Sequence, residues 1–164
     1  MSETFAAYTI LAIVAFLLHC VWERFHTQLY TGYEKMEGTL PVYLFATTGD
    51  VVYTLCAVFF VAIIERDLVW FVRDVSTGEY LFLALIGFLL ALFVEYKAIY
   101  FKKWEYLPEM PIIPFLRVGL SPIAQMTVLL PFSVYSGTVV MRLYNHAFMT
   151  RALSSVRSLL EPVT

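Results

Sequence analysis

Four apolar runs, each about as long as a helix that crosses a bilayer, leave this chain few folds to choose from. They occupy residues 5–25, 40–64, 80–101 and 118–141, and ~20 residues of helix span a hydrocarbon core. Inside such a layer every backbone polar group needs an internal partner, which a helix supplies. The expected fold is therefore all-α: one integral membrane four-helix bundle over residues 1–141, followed by a tail over 142–164. Pro41 suits the first turn of the second run. Composition agrees, because 60% of the residues are hydrophobic and only 15% charged, too few charges to cover a soluble domain. The start, Met1-Ser2-Glu3-Thr4, lacks the basic segment of a signal peptide, so the first run is read as a retained span.

The connections differ in character. Residues 28–39 hold Gly32, Gly38, two tyrosines and two acidic residues. Residues 102–117 hold Pro108, Pro111 and Pro114 around Trp104-Glu105-Tyr106 and Met110, and prolines at that density break helices. A Pro-rich lid connection is expected there, on the same side as residues 28–39. The 65–79 connection, on the other side, is short and charged, with Trp70 and Phe71 expected at the interface. The tail mixes apolar residues with Arg142, Arg151 and Arg157 and reads as a C-terminal interfacial helix. Arg24, Lys35, Lys97, Lys102, Lys103 and Arg117 fall on the lid side; Arg66, Arg73, Arg142, Arg151 and Arg157 fall opposite. With Arg24 and Lys97 set aside as parts of a site, the positive-inside balance tilts to termini in the cytoplasm.

Polar residues inside the runs are the functional signal. On a helix, His19, Glu23 and His26 (i, i+4, i+7) fall within an arc of roughly 60°. Asp50 lies ~15 Å along the second run, where an ionisable group costs on the order of 3 kcal/mol. Glu95 lies ~9 Å below the lid end of the third, and Gln125 ~12 Å into the fourth. Each run thus gives at least one strongly polar group, all from the lid half or the middle, while the far halves are almost wholly apolar. Convergence from four helices implies one polar cavity under the lid. The plainer readings are that Asp50 bonds Thr47 or Thr48, that Glu23 pairs with Arg24 or Lys35, and that Glu95 pairs with Lys97.

Such a cavity suits proton chemistry on a lipophilic molecule. Glu23, Asp50, His19 and Glu95 are the candidate acids and bases, with no cofactor called for. Gln125 and Ser121 would position a polar head, and Trp22, Trp104 and Tyr96 would line the site, with aromatic faces able to stabilise a cation. The expected activity is an acid–base isomerase or cyclase acting on a sterol- or isoprenoid-like substrate. The alternative is a non-catalytic lipid- or quinone-binding subunit or assembly factor of a membrane complex. Glu23-x-x-His26 also has the spacing of di-iron bundle ligands, but the motif occurs once and the chain has three histidines. A net charge of −2 with no basic stripe argues against nucleic acid. The expected partners are the lipid bilayer and a lipophilic small molecule, with a homo-oligomer or a larger complex left open. Cys20 and Cys56, both in apolar runs, read as packing residues and not as a disulfide.

The placement of His19-x-x-x-Glu23, Asp50, Glu95, and Gln125 followed by Pro131 resembles the EXPERA group, which includes the emopamil-binding sterol isomerases and sigma-2 receptor type proteins. That resemblance covers roughly residues 5–135 and implies a four-span bundle with a sterol-isomerase-like site. Asp50 stands where the isomerases carry glutamate, Gln125 where they carry asparagine, and Val128 where they carry a tryptophan. Trp22-Glu23, Gly49-Asp50, Glu95-Tyr96, Trp104-x-Tyr106-x-x-x-Met110-Pro111 and Gly119-Leu120-Ser121-Pro122-x-x-Gln125 are also similar to a group of small bacterial multi-pass membrane proteins. That second likeness implies the bundle and the choice of residues, and no activity.

Overall fold

In the computed structural model the four apolar runs are four long helices: α1 (Glu3–His26), α2 (Val42–Glu65), α3 (Thr77–Tyr100) and α4 (Leu120–Leu160). The structure describes residues 3–32 and 41–160, without the side chains of 148–149 and 151–160. Each of the four is long and apolar enough to cross a membrane. Lys35 and Gly38 lie outside the described residues.

Helix boundaries follow local chemistry. Pro41 caps α2, where its missing N–H costs nothing. Arg66 ends α2 in the left-handed region at φ 54°, and its N–H bonds the Ala62 carbonyl. Ser76 and Glu79 form a capping box at the start of α3. Nothing ends α4 at Arg142: the helix continues through the tail to Leu160. The expected separate interfacial helix is thus a continuation of the fourth one, since residues 142–160 contain no proline or glycine to stop it.

Packing uses one narrow stripe per helix. On α1 the buried residues include Ala7, Leu11, Ala15, His19, Glu23 and His26; on α3 they are Leu83, Gly87, Ala91, Glu95 and Ala98. Each stripe contains small residues that let helices approach and carries a buried acid toward its lid end. At Gly87 a Cβ would stand 2.2 Å from the Met126 carbonyl oxygen, so α3 and α4 touch there backbone to backbone. α4 packs along both α3 and α1, and α1 along α2; α2 and α3 meet only sparsely. The bundle is therefore less tightly closed between α2 and α3.

The two lid connections are tied to each other and to α4. β1 (Tyr30–Thr31) pairs antiparallel with β2 (Glu105–Tyr106), and β3 (Ile112–Ile113) with β4 (Val118–Gly119). Gly32, at φ +93°, turns the chain past the backbone of Lys103 and Trp104, a conformation that favours glycine. At the opposite end the 65–79 connection folds inward. Trp70 and Phe71 are fully buried, not placed at an interface as the sequence implied. The Trp70 indole donates to the Val58 carbonyl, and the Thr138 hydroxyl reaches the Phe71 carbonyl. Those bonds satisfy polar groups that would otherwise keep this turn at the surface. Cys20 and Cys56 are both free thiols.

Candidate functional site

The lid-side halves of the helices enclose a cavity of about 320 Å³. This is at the small end of the range for ligand pockets. Its side walls are α2, from Val42 to Tyr53, and α3, from Leu90 to Ala98. Glu23 and His26 of α1 with Pro122, Gln125 and Met126 of α4 form the back, and Tyr30 and Trp104 form the roof, with Lys103 exposed at the rim.

Gln125 is the joint of the polar cluster. Its Nε2 donates to Glu23 Oε1 at 2.8 Å and to Asp50 Oδ2 at 2.7 Å, and lies 3.2 Å from His19 Nδ1. One amide on α4 thus reaches acids on α1 and α2. An amide nitrogen has two hydrogens, and the two carboxylates take both. His19 Nδ1, 3.5 Å from Asp50 Oδ2, then serves best as a second donor to Asp50. That leaves Nε2 as the acceptor for the Thr54 hydroxyl at 3.4 Å. The order Thr54, His19, Asp50, Gln125, Glu23 is one chain of hydrogen bonds. Its last atom, Glu23 Oε2, is buried and has no donor among the described residues.

His19 does not reach the cavity surface. It is fully buried behind Gln125 and Asp50 and acts by positioning them. Thr54 was not singled out from the sequence, although it lies one turn below Asp50 on the same face. Asp50 bonds neither Thr47 nor Thr48: those hydroxyls bond the Tyr43 and Leu44 carbonyls.

Glu95 faces the same cavity from the α3 wall but belongs to a second cluster. It accepts from the Tyr106 hydroxyl at 2.5 Å and from the Tyr30 hydroxyl at 3.3 Å, and Trp104 bears on the same carboxyl. Burial first, and the bond to Glu95 next, raise the Tyr106 phenol well above its ordinary pKa. It therefore stays a donor across the physiological range. Tyr30 packs between Trp104 and Tyr106, edge-on to the indole at 5.8 Å. These aromatic residues sit on the lid strands, where no helical period announces which way they face. Lys97, two residues from Glu95, lies over the Phe93 ring at the rim and is exposed.

The other residues singled out from sequence have different placements. Trp104 is in the roof. Trp22 and Tyr96 lie outside the cavity wall. Tyr96 is exposed, and its hydroxyl donates to the Leu116 carbonyl at 2.7 Å, tying α3 to the lid. Ser121 lies behind the wall at 2.7 Å from His26 Nδ1 and holds that ring in place. Glu23 and His26 thus turn to different partners, and no group of three metal-ligating side chains gathers among the described residues. Val128 is exposed on the outer face of α4, so aromatic rings at the cavity come from Trp104, Tyr30, Tyr53 and Phe45. No family model, no curated protein and no solved structure matches the chain.

Proposed function

We propose that this is a multi-pass membrane protein that binds a lipophilic molecule in the cavity and isomerises it by acid–base chemistry. The observation that carries the proposal is the state of Glu23: buried, lining the cavity, and with no donor to Oε2 among the described residues. A buried carboxylate oxygen without a donor is costly. A proton on Glu23 removes that cost and gives the cavity an acid, while Asp50, held by Gln125 and His19, remains the base.

The step conserves atoms and electrons. Glu23 gives its proton to one carbon of a substrate double bond, whose π pair becomes the new C–H bond. The cation formed faces Glu95 and the rings of Trp104 and Tyr30. Asp50 then takes a proton from the neighbouring carbon, and that C–H pair becomes the shifted double bond. Both carboxylates bond to one amide nitrogen, so the proton returns from Asp50 to Glu23 over a short path and the cycle closes without a cofactor.

The test is the conversion of added sterol and isoprenoid lipids by purified protein, followed by mass spectrometry and double-bond mapping. Glu23→Gln and Asp50→Asn should each cut turnover by about 10²- to 10⁴-fold while ligand still co-purifies. Full biological activity in both variants, with no product from any extract, would sink the enzymatic reading and leave a lipid-binding subunit.

A further inference from the structure

The cavity has an uneven charge distribution. Its depth holds three carboxyl groups, Glu23, Asp50 and Glu95, and its rim holds two lysines, Lys97 and Lys103. Glu95 bonds tyrosines and not Lys97, and both lysines are exposed. Neither lysine makes an ion pair among the described residues. The rim also coincides with the sparse α2–α3 seam, where Phe45 is 65% exposed.

From this we infer that the ligand is an anionic-headed single-chain lipid. It enters sideways between α2 and α3, rests its phosphate or carboxylate head on Lys97 and Lys103, and threads its hydrocarbon inward. The inference rests on the cavity reading above and adds the ligand's headgroup and direction of entry. The interior carboxylates of Asp50 and Glu95 repel an anionic head, and the two rim lysines, without an ion pair among the described residues, attract it, so the ligand has one orientation. Asp50, eight residues past Val42, stands ~12 Å deeper along α2. The reacting carbons are accordingly in the chain and not next to the head. Entry along the seam keeps the chain in lipid throughout, with no apolar surface passing through water.

The experiment uses full-length protein in phosphatidylcholine nanodiscs and three photoactivatable C12 probes with phosphate, hydroxyl or trimethylammonium heads. Labelled peptides are read by mass spectrometry. The phosphate probe should label the α2 and α3 walls most strongly. Lys97→Gln with Lys103→Gln should lower that labelling about 30-fold, by the attraction of two near-surface lysines, and leave hydroxyl-probe labelling unchanged. Both side chains are exposed, so the fold tolerates the change. Gly49→Phe should abolish labelling by every probe, since a Cβ there meets nothing within 4 Å and the added ring fills the cavity. Equal labelling by all heads, stronger labelling by the ammonium probe, or indifference to the lysine substitutions overturns the headgroup inference and leaves the cavity reading standing. Failure of every probe to label the walls overturns both.

Discussion

The Tyr106 hydroxyl donates to Glu95 Oε2 across 2.5 Å, joining a strand of the lid to an acid inside the helix bundle. The bond fixes the roof of the cavity, because Tyr106 pairs in register with Tyr30, which bonds the other oxygen of the same carboxyl. Tyr106→Phe removes one of two phenolic donors from a buried acceptor. It should cost about 1 kcal/mol, seen as a lower Tm in detergent or nanodiscs. The variant also has a pH signature. Burial and the Glu95 bond raise the Tyr106 pKa from its ordinary 10.0, so the folded chain holds that proton more tightly than the unfolded one. Its contribution is intact below pH 10 and declines as pH rises above it. Wild type should lose more stability than Tyr106→Phe between pH 10 and 11; parallel losses would contradict this.

Gln125→Leu tests the polar joint. The change keeps volume but removes the donor shared by Glu23 and Asp50, leaving two acceptors poorly served. A loss on the order of 3 kcal/mol is expected, measured by denaturant titration. Adding Glu23→Leu removes one orphaned acid. The double variant should therefore be more stable than the sum of the single losses predicts. Strict additivity would mean that the amide and the acid do not act together.

Two helix glycines, Gly87 at the α3–α4 contact and Gly49 in the cavity wall, give opposite expectations. Gly87→Ala drives a Cβ into the Met126 carbonyl, a backbone atom that cannot swing aside. It should destabilise by about 1–3 kcal/mol or more. Gly49→Ala points into open space and should gain about 0.5–1 kcal/mol from helix propensity. Thermal unfolding of the two variants side by side would decide; a neutral Gly87→Ala would show that α3 and α4 pack less closely than described.

How far the sequence carried depends on which residues one asks about. The helices were legible because bilayer-length apolar runs leave little alternative, and the His19, Glu23 and His26 stripe was legible because helical spacing alone puts residues on one face. All three are indeed buried. Helical depth also brought Asp50 and Gln125 to the same level. What spacing could not give was which acid the amide meets. Glu23 and Asp50 share Gln125 while Glu95 turns to the lid tyrosines, a choice made by helix order around the bundle. Tyr30 and Tyr106 were hidden for another reason: two-residue strands carry no period. Trp70 and Phe71 were misplaced because an aromatic pair in a short loop looks the same whether it lies at an interface or folds inward. Only the partners Val58 and Thr138, far away in sequence, distinguish the two.

The order of the helices along the chain has a consequence for how such a protein is made. Glu95 finds Tyr30 and Tyr106 in segments synthesised before α4 begins. Glu23 does not, and Asp50 finds only His19, because the donor the two acids share lies at position 125. In a membrane-spanning chain built from its N-terminus, both acids enter lipid before their amide exists, each at a cost on the order of 3 kcal/mol. An unfinished chain ending after α3 therefore displays acids short of a donor that the finished chain supplies. Arrival of the last helix at once completes the bundle and neutralises the mark of incompleteness, so a cell that surveys membranes for exposed charge could tell the two apart.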